Sequence, residues 1–287
     1  MQIDFLQVNY RGKPALTIDT PITFQKNDRI GVIGSNGAGK TTLVKALLGL
    51  IPSEGRFDLE FDPREISVHL QFNEYQDCLP IRMIMELILD SKLEQHPLAM
   101  ELIDYFDFRH CLNKKYSKMS GGERQKLTLI LVLAEDNPLV FFDEVTTGLD
   151  FTTRMDLIKL MSKWYQERDT TLFFITHYYK EIENIVNKLL ILDRGRVLAW
   201  GDTQALFRKY CGESLIILNN KVEYKKLFKD FSLLDTAEDK VVLSPTEDEV
   251  HEVLKILEDH RLEYVRSRMD LEVLVEVIMA KEGSRNE

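Results

Sequence analysis

The sequence predicts an α/β fold built around a mostly parallel β-sheet, with a helical subdomain and a small C-terminal α/β extension. Three short β-rich runs bounded by turn residues indicate the sheet: RIGVIG (29–34), LVFFDE (139–144) and TLFFIT (171–176). Near-continuous apolar runs followed by a helical pattern or a loop are typical of parallel strands buried on both faces. Helical patterns dominate residues 78–135, and strand and helix patterns alternate again after residue 212.

The first run leads into GSNGAGKTT, residues 34–42, which fits the P-loop spacing. The glycines let the backbone curl so that its N–H groups point at phosphate oxygens, and the following helix turns its positive dipole end to the anion. Lys40 would supply charge to the terminal phosphates, and the Thr41 hydroxyl would ligate Mg²⁺. The predicted nucleotide-binding residues of this stretch are Gly34, Ser35, Asn36, Gly37, Ala38, Gly39, Lys40, Thr41 and Thr42.

The second run ends in two carboxylates, Asp143 and Glu144. At the end of a buried strand, Asp143 is placed to hold Mg²⁺ through water. Glu144 leaves the strand one residue later, where it could orient and deprotonate an attacking water. An acidic pair alone is common at strand ends, but together with an upstream P-loop it predicts a site that hydrolyses a nucleotide.

The helical subdomain begins with IRMIMELIL and continues to MSGGE. The residues on one predicted apolar face of its first helix are Ile81, Ile84, Leu87 and Ile88. In MSGGE, Ser120, Gly121 and Gly122 stand at the start of a predicted helix. Free backbone N–H groups at a helix N-terminus bind anions, so the chain carries a second candidate phosphate site.

Taken in order, these motifs resemble those of the ATP-binding cassette (ABC) family: a P-loop, a glutamine after a strand (Gln71), MSGGE, FFDE, TTGLD and FITH. The resemblance covers about residues 1–212. It implies a P-loop NTPase core with an antiparallel β portion and a helical signature subdomain, and it implies ATP and Mg²⁺ as cofactors. It also implies that two subunits pair head to tail, so that Ser120, Gly121 and Gly122 bind the γ-phosphate held by the other subunit.

The same resemblance assigns the remaining site residues. Gln71 looks like the glutamine that senses the γ-phosphate and Mg²⁺, and His177 looks like the histidine that contacts the γ-phosphate. Asp150 looks like the aspartate that crosses the dimer interface, and Tyr10 is either an aromatic that stacks on adenine or a core residue. The implied catalytic residues are Glu144, His177, Gln71 and Lys40. The implied metal ligands are Thr41, Gln71 and Asp143.

The signature departs from the family's common LSGGQ at two positions, where Met119 replaces leucine and Glu123 replaces glutamine. The methionine conserves volume. A carboxylate near a helix N-terminus favours the helix but lowers the positive potential offered to an anion. Arg124 and Lys126 are the cations that the sequence suggests as an offset.

Residues 1–212 are predicted as the ATPase domain, with its helical subdomain at about 78–135, and residues 213–287 as the extension. Ser244 is predicted to cap the helix that follows it, with Glu247 completing the capping box, and Asp270 is predicted to cap the last helix. The extension resembles the small C-terminal part of ATPases of type-2 ABC exporters. Its favoured role is that of a capping or dimer-stabilising subdomain without a ligand.

The formal net charge of −10 disfavours nucleic acid as a partner, because proteins that grip it usually present a basic face. No secretory signal and no apolar run of roughly 18 residues is present in the sequence. The three cysteines are far apart and form neither a disulfide framework nor a metal-ligand spacing. The chain is therefore expected in the cytoplasm or on the cytoplasmic face of the cell membrane, which it would reach only through a membrane partner.

These observations predict an ATP-hydrolysing subunit of an ABC transporter. Its expected partners are a transmembrane permease on a separate chain and a second ATPase subunit, which is either another copy or a close paralogue. Export is favoured over import by the resemblance of the extension. The alternatives are a non-transport ABC ATPase and a regulatory module that closes on ATP without hydrolysing it, although the presence of both Asp143 and Glu144 argues against the second.

Overall fold

The structure is a computed structural model of the 287-residue chain. The residues that it describes are 1–70, 75, 77–147, 149–166, 168–219, 222–236 and 240–283. Within them, no helix combines the length and the hydropathy that a membrane span requires.

Within the described residues, the strands form two sheets. Their bounds are β1 Gln2–Tyr10, β2 Lys13–Ile18, β3 Ile22–Thr23, β4 Arg29–Gly34, β5 Glu54–Asp58, β6 Ile66–His69, β7 Leu139–Asp143, β8 Thr171–Ile175, β9 Lys188–Asp193, β10 Arg196–Asp202, β11 Leu215–Asn219, β12 Leu233–Leu234, β13 Lys240–Leu243 and β14 Val265–Ser267. The larger sheet has the order β3-β1-β2-β10-β9-β4-β8-β7-β6, with β5 paired to β1. The smaller sheet has the order β12-β13-β11-β14.

The helices cover the sheets and form the subdomain between β6 and β7. Their bounds are α1 Lys40–Leu47, α2 Ile81–Ile88, α3 Pro97–Tyr105, α4 Gly121–Glu135, α5 Phe151–Gln166, α6 Tyr179–Ile182, α7 Thr203–Cys211, α8 Val222–Leu227, α9 Glu247–Asp259 and α10 Leu271–Gly283. Short 3₁₀ turns at Leu93–Gln95, Arg109–Cys111 and Tyr116–Lys118 connect α2, α3 and α4.

The centre of the large sheet is parallel: β4 lies between β8 and β9, and β7 lies between β8 and β6. Every residue of β7 and β8 is buried, which explains why these runs are apolar throughout. An antiparallel portion forms where β1 pairs with β2, β3 and β5. Because β4 and β7 are two strands apart in one parallel sheet, their carboxyl ends open at the same edge, which places the P-loop beside Asp143.

The predicted apolar face of α2 is wrong in its second half. Ile81, Ile84 and Met85 are buried, whereas Leu87 is 66% exposed and Ile88 is 42% exposed. The helix buries only its first turns, against the rest of the helical subdomain, and its last turn leaves that core. Helical spacing identified an apolar side of α2, but it could not distinguish the part of that side that meets the core from the part that meets solvent.

The smaller sheet begins at Leu215, close to the predicted boundary, yet the chain returns to the main unit at its end. The buried side chains of α10 belong to the same hydrophobic cluster as those of α7. Tyr210 donates a hydrogen bond from its hydroxyl to Glu282 (3.1 Å), and the Leu271 N–H donates to Glu183 (3.1 Å). The division at residue 212 stays a prediction, because α10 is covalently part of the extension but packs against the preceding residues.

The predicted cap of α9 is wrong by two residues. The N-cap is Thr246, with Glu249 completing the capping box, instead of Ser244 and Glu247. The Ser244 hydroxyl donates to the Cys211 carbonyl (2.6 Å), so it is engaged in joining the two parts of the chain. The predicted cap of α10 is confirmed, because Asp270 Oδ1 accepts from the Val273 N–H (3.0 Å).

Gly34, the last residue of β4, permits a close approach of two strands. A Cβ at this position would lie 2.3 Å from the carbonyl oxygen of Leu192, a backbone atom of β9 that cannot swing away. We expect Gly34→Ala to lower the free energy of unfolding by about 1–3 kcal/mol through overpacking. Chemical denaturation measures this, and Gly283→Ala, which meets no atom within 4 Å, is the matched control. Equal stability of the two variants would contradict the close approach.

Candidate functional site

The P-loop connects β4 to α1 and takes the predicted curled form. Gly37 and Gly39 have φ angles of +82° and +101°, a region that favours glycine. Lys40 begins α1 and is 6% exposed. Its ammonium donates to the carbonyls of Gly34 (2.7 Å) and Ser35 (3.0 Å), so the lysine is folded back over the loop. Burial lowers the pKa of Lys40, and Glu144 and Asp143 oppose that shift.

Asp143 ends β7 directly beside the start of α1. Its side chain is fully buried, and its Oδ2 accepts a hydrogen bond from the Thr41 hydroxyl (2.8 Å). Its Oδ1 is buried and has no hydrogen-bond partner among the described residues. Burial raises the pKa of Asp143, while the Thr41 hydrogen bond lowers it. A buried carboxylate oxygen without a donor is costly, so a cation at this position would satisfy it.

Glu144 leaves β7 with a φ angle of +52°, in the left-handed region. Its N–H donates to the Ile175 carbonyl (2.9 Å), which fixes the turn against β8. Its carboxylate accepts from the Thr147 hydroxyl (3.2 Å) and lies 3.4 Å from His177 Nδ1. The two residues predicted to activate water and to contact the γ-phosphate are therefore neighbours.

These groups line one cavity of about 650 Å³. The residues lining it are Tyr10, Pro14, Ala15, Asn36, Gly37, Gly39, Lys40, Thr41, Thr42, Glu144, His177 and Arg194. Tyr10 is 48% exposed, which excludes the core alternative and leaves it at the cavity wall. The cavity thus brings together most of the predicted P-loop residues with Glu144 and His177.

Arg194 is a cavity residue that the sequence did not single out. It lies in the turn between β9 and β10. Gly195, the next residue of that turn, donates its N–H to the Ala38 carbonyl (3.1 Å). Asp193, the last residue of β9, accepts a hydrogen bond from the Ser35 hydroxyl (3.2 Å). No local motif marks this turn. It lies beside the P-loop because β9 pairs with β4, the strand that leads into the P-loop.

Ser120, Gly121 and Gly122 do not line this cavity. Ser120 is the N-cap of α4: its hydroxyl accepts from the Glu123 N–H (3.3 Å), and its N–H donates to Glu123 Oε2 (2.9 Å). A Cβ at either glycine would meet nothing within 4 Å, so the backbone here has open space in front of it. Within one chain, the two candidate phosphate sites are separate.

The cations suggested to offset Glu123 are not the ones that do so. Lys114 lies 2.7 Å from Glu123 Oε1 and, with the Ser120 N–H, holds the pKa of that carboxyl well below its usual range. Arg124 instead stacks over the Tyr116 ring, and Lys126 donates to the Phe106 carbonyl. The compensating charge comes from Lys114, which lies nine positions before Glu123 and outside the signature motif.

Two predicted site residues lie elsewhere. Asp150 precedes α5, is exposed, and accepts from the Thr153 N–H (3.1 Å) and hydroxyl (2.6 Å), which lower its pKa. It does not line the cavity. Gln71 lies outside the described residues.

The residues present fit a magnesium nucleotide. The cavity is lined by one glycine-rich turn and by the start of α1, which together suit a phosphate chain. Asp143 Oδ1 provides an oxygen that needs a cation, and the Thr41 hydroxyl beside it is a second oxygen ligand, the type that Mg²⁺ prefers. The Lys40 ammonium lies against the same loop, where its positive charge suits a phosphate.

Comparison with known proteins identifies the class. The ABC transporter family matches residues 19–147. The chain is 30% identical over 230 residues to the Nod factor export ATP-binding protein I of Burkholderia lata, with 75% of each protein covered. This chain therefore belongs to the ATP-binding subunits of ABC transporters, as its motifs indicated.

Other relatives carry names for import. The chain is 27% identical over 249 residues to the methionine import ATP-binding protein MetN of Clostridioides difficile, with 78% of each covered. It is 25% identical over 237 residues to the molybdate import ATP-binding protein MolC of Haemophilus influenzae, with 79% of this chain and 93% of the relative covered. The relatives thus include proteins named for both directions of transport.

Solved structures confirm the predicted fold class. An ATP-binding subunit of an ABC transporter matches with a TM-score of 0.67 and 21% identity, covering 74% of this chain and 93% of that one. A dimeric post-hydrolysis state of the ATP-binding cassette MJ0796, bound to ADP and Pi, matches with a TM-score of 0.60 and 21% identity, covering 70% and 98%. At this identity the likeness concerns the fold.

Proposed function

We propose that this chain hydrolyses ATP to ADP and phosphate at two sites, each shared between two subunits that pair head to tail. The cycle of closing on ATP and reopening after hydrolysis would drive a separate transmembrane permease, with the chain held at the cytoplasmic face of the membrane by that partner. Two copies of the chain suffice to build both sites, and a close paralogue could take the place of one.

One observation carries the proposal. P-loop residues, Glu144 and His177 line one cavity, and Asp143 bonds to Thr41 in its wall, while Ser120 and the glycines after it face open space outside that cavity. A second subunit in the opposite orientation would bring its Ser120 and glycines to the mouth of the first subunit's cavity. In this arrangement the P-loop of one subunit and the Ser120–Gly122 segment of the other bind the same nucleotide, so one chain does not need two nucleotide cavities.

Each residue has a distinct proposed role. The P-loop N–H groups and Lys40 hold and neutralise the terminal phosphates, Thr41 and Asp143 hold Mg²⁺, and Glu144 takes a proton from the attacking water. Mg²⁺, when bound, draws negative charge away from the transferring phosphoryl group. His177 would contact the γ-phosphate and support the position of Glu144, and Gln71 would sense the γ-phosphate and Mg²⁺. Asp150 crosses the interface, and Tyr10 stacks on adenine at the cavity wall.

The role of these residues is mainly positional and electrostatic. Water would be held between Glu144 and the terminal phosphate, and the Lys40 ammonium and the partner's Ser120–Gly122 backbone would stabilise negative charge as it develops. Glu144 and His177 lie 3.4 Å apart within one chain, so their mutual position does not depend on the second subunit.

We take export as the direction of transport. The relative with 30% identity is named for export, and the extension resembles that of exporter ATPases. Import is the second candidate, because the methionine and molybdate relatives are named for it. The identity of the membrane protein that co-purifies with this chain from detergent-solubilised membranes would decide between them.

The proposed metal ligand gives a direct test. We expect Asp143→Asn to raise the Mg²⁺ concentration needed for half-maximal ATPase activity by roughly 10–100-fold, the usual effect of losing a group that holds a metal through water. Titration of purified protein with Mg²⁺ at fixed ATP measures this. Asp136→Asn, in an exposed surface position, is the control. An unchanged Mg²⁺ requirement in Asp143→Asn would remove Asp143 from the role.

A further inference from the structure

Beside the signature helix, three side chains of different chemistry converge. We call His110, Cys111 and Glu123 the 110–111–123 cluster. His110 Nε2 lies 3.1 Å from Glu123 Oε1, Cys111 Sγ lies 3.2 Å from the same oxygen, and the sulfur and ring nitrogen are 3.3 Å apart. No role in the proposed ATPase site uses the imidazole or the thiol.

We propose that this cluster binds a zinc-like divalent cation. Zinc bonds of 2.0–2.1 Å to nitrogen, about 2.0–2.2 Å to oxygen and about 2.3 Å to sulfur, in tetrahedral geometry, place the ligand atoms about 3.3–3.5 Å from one another. The three separations in the cluster are 3.1, 3.2 and 3.3 Å, so outward shifts of a few tenths of an ångström would complete the site. Water would supply the fourth ligand.

The ligand set selects the class of metal. A thiolate and an imidazole are preferred by zinc and related transition metals, whereas Mg²⁺ and Ca²⁺ prefer oxygen alone. The site is therefore distinct in chemistry from the all-oxygen magnesium position at Asp143 and Thr41. Magnesium used in the ATPase reaction would not compete for it effectively.

Lys114 also contacts the cluster, because its ammonium lies 2.7 Å from Glu123 Oε1. That side chain is 35% exposed, so it can leave for solvent when a metal takes the oxygen. Metal ligation requires the thiolate, so Cys111 releases its proton to solvent when its sulfur binds the metal. Thiolate, carboxylate and divalent cation then sum to no net charge.

The cluster shares Glu123 with the signature. Glu123 Oε2 holds the Ser120 N–H at 2.9 Å, while Oε1 faces the cluster. A cation on Oε1 would fix the carboxylate and, through it, the start of α4. A regulatory effect on turnover would rest on the proposed function of Ser120, whereas binding of the metal to the cluster does not.

Zinc binding to the full-length protein is the test, measured by calorimetry and by competition with a chromophoric zinc chelator. We expect one zinc ion per chain, and a loss of affinity of at least about tenfold in both His110→Ala and Cys111→Ser, because even groups that only support metal ligands contribute about 10–100-fold. Bound Co²⁺ should show a sulfur-to-metal charge-transfer band that Cys111→Ser abolishes.

The controls separate this site from other thiols and imidazoles. Cys78→Ser and His251→Ala alter exposed residues outside the cluster and should leave zinc affinity unchanged. His110 is mostly exposed, so its replacement by alanine keeps the test valid even if Cys111→Ser folds poorly. Absence of stoichiometric zinc binding, or binding that His110→Ala leaves intact, would overturn the site and would leave the ATPase proposal standing.

Discussion

Replacement of Glu144 by glutamine is expected to reduce ATP turnover by about 10²–10⁴-fold, the range that general-base catalysis contributes, while ATP binding is retained. The amide keeps the size of the side chain and can still accept from the Thr147 hydroxyl, but it cannot take a proton from water. Turnover is measured by phosphate release, and binding is measured by equilibrium dialysis with labelled ATP.

Glu258→Gln, an exposed position on α9, is the matched control and should hydrolyse ATP at the normal rate. Near-normal turnover by Glu144→Gln would show that another group activates water. Loss of ATP binding together with turnover would instead indicate that Glu144 shapes the cavity, whose wall it helps to form.

The second large effect is expected at Ser120. Ser120→Arg should reduce turnover by more than about 100-fold, because it blocks a donor that would stabilise the transferring phosphoryl group. Nucleotide binding to the isolated chain should be unchanged, since Ser120 does not line the chain's own cavity. The variant also loses the N-cap hydrogen bond, at a cost of about 1 kcal/mol, so a thermal melt must show that it is folded.

A control variant distinguishes the effect of adding an arginine side chain from the effect of changing position 120. Ser117→Arg introduces the same side chain at an exposed site three residues before Ser120 and should retain most of the turnover. Full activity in Ser120→Arg would contradict the shared site.

Mixing the two inactive variants provides the sharper test. In a mixed dimer, one site combines Glu144 of the Ser120→Arg chain with Ser120 of the Glu144→Gln chain, so that site is intact. Random exchange makes half of the dimers mixed, each with one intact site of two, so about a quarter of wild-type turnover should return. If mixing restores nothing although the chains exchange, Ser120 acts within its own chain and the head-to-tail arrangement is wrong.

The parallel core was predictable because β7 and β8 are buried on every residue, and a fully apolar run bounded by turns has few other interpretations. The cap of α9 was not. Ser244-x-x-Glu247 and Thr246-x-x-Glu249 both fit a capping box; in the structure Thr246 and Glu249 form it, and the Ser244 hydroxyl bonds to Cys211 instead. That bond joins residues 33 positions apart, beyond the reach of a local pattern.

In the candidate site too, local motifs were predictable and contacts across the fold were not. The P-loop and the acidic pair were predictable because their chemistry needs particular residues at short, fixed spacing. Arg194 and Lys114 were missed since each reaches its target across the fold, one through the order of the strands and the other through a turn of the helical subdomain. A residue whose role depends only on a tertiary contact belongs to no motif of fixed spacing, so the sequence pattern does not reveal it.

Because α10 closes back on α7, the polypeptide after residue 212 is not a detachable appendage. Its final helix buries Leu271, Leu274 and Ile278 in the same hydrophobic cluster as Phe207 of α7. Truncation of the chain between α7 and α10 would expose the apolar surface of the ATP-binding part that α10 covers, and the truncated protein would tend to aggregate. A related chain with a different C-terminal segment would therefore also need different side chains on the face of α7 that packs against α10.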